Sequence, residues 1–195
     1  LLSGLRFIAF LILPAGLILS VLAKPMIETL FNWMTLLGRA GTETDVINYS
    51  VTALVPFGLA VFPMGLNTLM IRTFYIRKRV RAVVIITILF LGLQAVLSYV
   101  LAPRIGIAGF SWANVAANWF EFVMLLVFLW RLEKLDVRGL ASQVWRIAVA
   151  AGLAALAVYG LSFLPWSASW WSSLAHTILG LGIFAGIYAL FSFVL

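Results

Sequence analysis

Six long apolar stretches leave this chain almost no room to fold in water. They are Phe7–Ala23, Val46–Ile71, Ala82–Ala102, Ile107–Trp130, Ile147–Leu164 and Leu174–Leu195. About 20 mainly apolar residues, wound into a helix, cross the ~30 Å hydrocarbon core of a bilayer. Five of the six stretches contain no Asp, Glu, Lys or Arg; Ile107–Trp130 contains Glu121. In lipid every backbone donor and acceptor must be satisfied internally, which a helix achieves and an open strand does not. Composition agrees, with 65% hydrophobic and 10% charged residues, against roughly 45–50% and 25% in soluble domains. The expected fold is an all-α polytopic membrane protein with six transmembrane helices. No connector is long enough to form a separate soluble domain.

Charge gives the expected orientation. If the chain alternates, Arg6, Arg72, Arg77, Lys78, Arg79, Arg81, Arg131, Lys134, Arg138 and Arg146 fall on one side. The other side receives Lys24, Arg39 and Arg104. Lys and Arg accumulate on the cytoplasmic side, so both ends of the chain are expected inside. The net charge is +7, but the basic clusters abut hydrophobic spans. Anionic headgroups are therefore the expected partners, and nucleic acid is not. With no cysteine, disulfides, thiol nucleophiles and cysteine metal sites are excluded. Most tryptophans (Trp33, Trp112, Trp130, Trp145, Trp166, Trp170 and Trp171) fall near the expected interfaces, as membrane anchors do. Trp119 lies near a span centre.

Pro14 and Gly16 predict a mild kink in the first span. Met26–Gly38 reads as an amphipathic helix, with Glu28, Asn32, Thr35 and Arg39 spaced along one face. Gly38–Asp45 is expected to be an outer turn, Thr73–Arg81 a basic inner loop, and Pro103–Gly106 a second outer turn. Glu133–Ser142 reads as an inner loop, and the segment from Leu164 to Trp171 as an outer turn. In the second span, Pro56-Phe57-Gly58 and Pro63-Met64-Gly65 repeat seven residues apart and share a face. Each proline removes a backbone donor, so this helix is expected to face protein or a cavity. Gly106 and Gly109, with Ala108, permit close helix approach.

Glu121 is the sharpest chemical anomaly. A carboxylate near mid-membrane costs several kcal/mol, so it is expected to face the bundle interior, a partner or water. Asn114 and Asn118, with Ser111, form a polar stripe on its helix. Asn67 and Thr68 of the second span are candidate partners for that stripe. Both helix–helix hydrogen bonding and a substrate or ion role fit it. The single histidine, His176, is expected at the outer interface and lacks a metal-site pattern. Glu43 and Asp45 read as solvated turn residues. No Ser-His-Asp constellation, phosphate loop or HExxH pattern is present. The chain is therefore not expected to be an enzyme, and no catalytic residue, metal or cofactor is assigned.

Three stretches resemble a known family. They are Gly4-Leu5-Arg6-Phe7 with Leu13-Pro14-Ala15, Pro25 and Leu30-Phe31; Leu54 to Leu69 followed by Arg72-Thr73-Phe74-Tyr75; and Gly106-Ile107-Ala108-Gly109 with its helix and Arg131. Their order over residues 4–132 resembles the MurJ/MviN lipid II flippases of the multidrug/oligosaccharidyl-lipid/polysaccharide exporter superfamily. The resemblance implies helices nine to fourteen of a 14-helix, two-lobe flippase in a bacterial inner membrane. Residues 1–132 would supply four helices of the C-terminal lobe, and 133–195 two more. It implies alternating access for a lipid-linked peptidoglycan precursor, membrane lipids as partners, and further N-terminal helices in the same protein. The last two spans would help form a groove for the lipid tail. Departures are Ile76 to Arg81 where the family often has an acidic residue and Thr-Pro, Asn32-Trp33-Met34 for Gly-x-Phe, and Glu121 for a small polar residue. Arg6, Arg72 and Glu121 are the candidate substrate-binding residues. The alternatives are another exporter of the superfamily, moving a polysaccharide lipid or a small cation, a scaffold in a cell-wall synthesis complex, and a membrane glycosyltransferase.

Overall fold

The computed structural model describes residues 2–36, 44–133, 137–161 and 170–194, and the regular elements among them are all α-helices. In chain order these are α1 (Leu2–Val21), α2 (Ala23–Leu36), α3 (Thr44–Ile76), α4 (Val80–Ile105), α5 (Ile107–Glu133), α6 (Val137–Leu161) and α7 (Trp170–Val194). By length and composition α3, α4 and α5 can each cross a membrane, and α1 with α2 forms a fourth candidate as one broken span. The described apolar parts of α6 and α7 are shorter, at Val144–Gly160 and Leu174–Ala189.

The break in the first span comes later than Pro14 and Gly16 suggest. Helix α1 continues through Pro14, and the chain turns by 66° between Val21 and Ala23. Pro25 explains the position. Its ring crowds the carbonyl four residues earlier, at Val21, and it has no N–H to donate there. Leu22 sits at the corner, 1% exposed, against Gly180 of α7, which Val158 of α6 also approaches.

Helix α3 is the centre of the bundle. It packs against α1 on one side and α5 on the other. Helix α4 lies along α5, while α6 and α7 pair and cover α1 and α2. The contacts follow rows of residues four apart: Leu5, Ala9 and Leu13 on α1; Phe62, Leu66, Met70 and Phe74 on α3; Leu125 and Leu129 on α5. Such i, i+4 rows form the ridges by which helices interdigitate. Pro56 and Pro63 are both buried, so the proline face of α3 meets protein, as expected.

At the α1–α3 crossing the backbones nearly touch. A Cβ at Gly58 would lie 2.6 Å from the Gly16 carbonyl oxygen, and one at Gly16 would lie 2.5 Å from that of Gly58. Ser20 uses this closeness, donating its hydroxyl to the Val55 carbonyl at 2.8 Å. At the far side of the bundle, the Tyr188 hydroxyl donates to the Phe10 carbonyl at 2.7 Å, tying α7 to α1.

The connectors among the described residues are shorter than the sequence suggests. The helix expected to end at Ile71 runs to Ile76, and the next begins at Val80, so the basic loop contracts to Arg77, Lys78 and Arg79. The cause is a Schellman-type closure. The Arg79 N–H reaches the Phe74 carbonyl and the Lys78 N–H the Tyr75 carbonyl, the bond pair that ends many helices. Pro103, expected in a turn, lies inside the last turn of α4, which runs on to Ile105. Gly106 alone makes that turn, at φ 62° and ψ −140°. Helix α6 starts at Val137 and absorbs most of the expected 133–142 loop. Residues 37–43 and 162–169, where two outer turns are expected, lie outside the described residues.

Candidate functional site

The polar stripe of α5 meets α3 in the middle of the bundle. Asn114, Asn118 and Glu121 share one face through their spacing of four and three. Helix α3 presents Asn67 to that face. The Asn67 amide Nδ2 donates to Glu121 Oε2 at 2.9 Å and also lies 3.3 Å from the Asn118 carbonyl oxygen. The Asn118 amide donates back along its own helix, to the Asn114 carbonyl at 2.9 Å and to Asn114 Oδ1 at 3.1 Å. Asn67, Asn118 and Glu121 are 3%, 4% and 7% exposed and so sealed within this chain, with half-buried Asn114 at the cluster's edge. Thr68 turns away and donates to the Met64 carbonyl of its own helix.

One acceptor in this cluster is unsatisfied. Asn67 Oδ1 is buried and has no hydrogen-bond partner. A buried polar atom left in this way costs free energy. The cluster thus holds a carboxyl group, three amides and one open acceptor in an apolar wall. Chemically it can lock two helices together, or take up a donor such as a proton carried on the carboxyl group.

The candidate residues do not converge. Glu121 lies in the sealed cluster, whereas Arg72 is exposed near the end of α3. Arg6 belongs to α1, and its side chain is outside the described residues. His176, expected at the interface, is 9% exposed, on α7, which packs against α2. Among the described residues no group of His, Cys, Asp and Glu is placed to hold a metal. Asp45 is exposed, as a solvated residue should be; Glu43 lies outside the described residues.

Beside the polar cluster lies an apolar cavity of about 290 Å³. Helices α1, α3, α5 and α6 line it, with Leu5, Phe62, Leu66, Trp119, Phe122 and Trp145 among its walls. Phe62, Trp119 and Phe122 form a mutual aromatic group with ring centroids 5.8–6.1 Å apart. The off-interface position of Trp119 is the sequence signal for this cavity. Trp112, Trp130 and Trp145 are exposed, which suits membrane anchors. Helix α6 contributes to the cavity, and among the described residues α7 does not.

A family model described as "Lipid II flippase MurJ" matches residues 1–184. The chain is 28% identical over 183 residues to a protein named probable lipid II flippase MurJ from Rhizobium meliloti (strain 1021), covering 91% of this chain and 33% of that relative. A second protein of that name, from Rhizobium tropici, is 28% identical over 133 residues, covering 66% of this chain and 23% of its own length. A solved structure titled "Lipid II flippase MurJ, inward closed conformation" superimposes with a TM-score of 0.78 at 15% identity, over 97% of this chain and 37% of that one. The chain therefore spans about a third or less of the length of the curated relatives it matches.

Proposed function

The chain belongs to the lipid II flippase MurJ family, and from that membership we propose that it forms part of a transporter for lipid-linked peptidoglycan precursor. The observation that carries this reading is the family match across residues 1–184. The transported headgroup is polar and its tail apolar, so each needs its own path. The apolar cavity among α1, α3, α5 and α6 suits the tail, and in this reading the headgroup path is completed by helices outside this segment. In this reading, six spans correspond to helices nine to fourteen of a two-lobe transporter. Residues 1–132 contribute four of them to the C-terminal lobe and 133–195 the last two. The remaining helices lie elsewhere in the same protein. The protein is multi-pass in a bacterial inner membrane with both ends of this segment cytoplasmic, works without enzymatic chemistry and does not bind nucleic acid.

Alternating access requires elements that move as units. The 66° break at Leu22 divides one candidate span into two helices, a joint about which one could swing against the other. Arg72, and Arg6 if its side chain lies at the same membrane surface, would meet the diphosphate of the precursor at the inner mouth. Glu121 favours a second reading, an ion-coupled exporter of the same superfamily, because an acid at mid-membrane suits cation or proton coupling.

The test is precursor translocation by the full-length protein in vesicles. A fluorescent lipid-linked precursor should become accessible to an added outer reagent only when the protein is present. No protein-dependent translocation would remove the flippase reading. Translocation that collapses with Glu121→Gln and follows an imposed ion gradient would favour the ion-coupled reading.

A further inference from the structure

We propose that the groove between the α3–α4 turn, the start of α4 and the C-terminal half of α5 is a binding site for an anionic phospholipid. The groove has a volume of about 710 Å³. Lys78, Arg79 and Arg81 line its mouth, and Ile85, Leu89 and Phe128 are among the apolar residues below them. Arg81, Ile85 and Leu89 are four residues apart and lie along one face of α4. From Arg81 to Leu89 the helix rises ~12 Å. Charge is therefore concentrated at one end and apolar surface at the other, as in a phospholipid.

Several observations favour a lipid over a merely solvated basic turn. No acidic residue occurs between Asp45 and Glu121. No ion pair among the described residues involves Lys78, Arg79 or Arg81. The apolar walls are open as well: Ile85 is 59%, Leu89 46% and Phe128 40% exposed. Simple snorkelling of cations to a membrane surface requires no concavity beneath them. The turn also holds Lys78 at φ 55°, in the left-handed region. Glycine is the usual residue there, so a cation is kept at a local conformational cost.

Lipid retention does not depend on what the protein transports, so this proposal and the transport reading fail separately. The experiment is native mass spectrometry of the full-length protein in a non-ionic detergent. It is titrated with phosphatidylglycerol, with phosphatidylcholine of the same chains, and with inorganic phosphate as competitor. Phosphatidylglycerol should be retained preferentially and resist millimolar phosphate. At roughly 1 kcal/mol per cation near an anionic surface, Arg79→Gln with Arg81→Gln should weaken its binding about thirtyfold. Lys78→Gly removes one cation while relieving the turn, and should weaken binding about fivefold without lowering the unfolding midpoint. Leu89→Trp, which fills the apolar part, should weaken binding as well, and Arg104→Gln should not. Equal retention of the two lipids would overturn the proposal. So would wild-type affinity in the charge variants, the result expected if another helix of the full-length protein fills the groove. Complete displacement by phosphate would reduce the site to an anion site and overturn the lipid assignment.

Discussion

Glu121 and Asn67 show what a single polar residue can do in an apolar bundle. The Asn67 amide fills one acceptor of Glu121 and leaves its own Oδ1 without a donor. Glu121→Gln preserves the acceptor and adds an N–H within the cluster. Its unfolding midpoint in detergent is expected to match or exceed that of the parent protein. Glu121→Leu instead leaves the Asn67 amide with only the 3.3 Å contact to Asn118. A buried donor that loses its partner costs about 1–3 kcal/mol, so the midpoint should fall. Equal midpoints for the Leu and Gln variants would show that the hydrogen bond does not hold α3 to α5. The stripe of Asn114, Asn118 and Glu121 is legible from spacing alone. The identity of its partner is not, because Asn67 and Thr68 are adjacent and point about 100° apart on a helix. The rotation of α3 decides between them, and packing of Leu66 and Met70 sets that rotation.

At the scale of the helix, the sequence shows where apolar runs lie but not how far the helices extend beyond them. The apolar run ends at Ile71, yet α3 continues to Ile76, since the hydrogen bonds that close it involve the backbone of Arg79 and Lys78. Hydropathy does not register such closures. Pro103 misleads in the same way, because the residue that stops α4 is Gly106, at a backbone conformation available essentially to glycine. Gly106→Ala should destabilise by about 1–3 kcal/mol, read as a lower unfolding midpoint, and an unchanged midpoint would mean that the turn tolerates a side chain. The crossing of α1 and α3 makes a sharper case. At Gly58 an added Cβ would meet the backbone of Gly16 and Ser20, and backbone cannot rotate aside. Gly58→Val should therefore separate the helices and break the Ser20–Val55 hydrogen bond, at a cost of about 1–3 kcal/mol or more. Gly152→Ala is the control, with nothing within 4 Å of the added Cβ, and should leave the midpoint within about 0.5 kcal/mol of the parent.

The whole molecule is constrained by helix length. Helices α4 and α5 have 26 and 27 residues, which at 1.5 Å per residue makes each about 40 Å long. Gly106 alone connects them, and they pack along one another. If α4 crosses the bilayer, the basic turn at residues 77–79 and the end of α5 at Arg131 must emerge on the same side, with Arg104 on the other. The charge count assigns the basic side to the cytoplasm. The chain has no native cysteine, so single cysteines at Arg79, Arg104 and Ser142, with any cysteine elsewhere in the full-length protein removed, test the arrangement directly. A membrane-impermeant maleimide added to intact cells should label the Arg104→Cys variant, and should label Arg79→Cys and Ser142→Cys only after permeabilisation. Labelling of all three from outside would mean that α4 and α5 do not span. Labelling of positions 79 and 142 from opposite sides would contradict the two crossings by α4 and α5 that separate them, and with them the six-span reading. Reversal of all three signals would keep the spans but place both ends of this segment outside, and the basic groove of α4 would then face the outer leaflet.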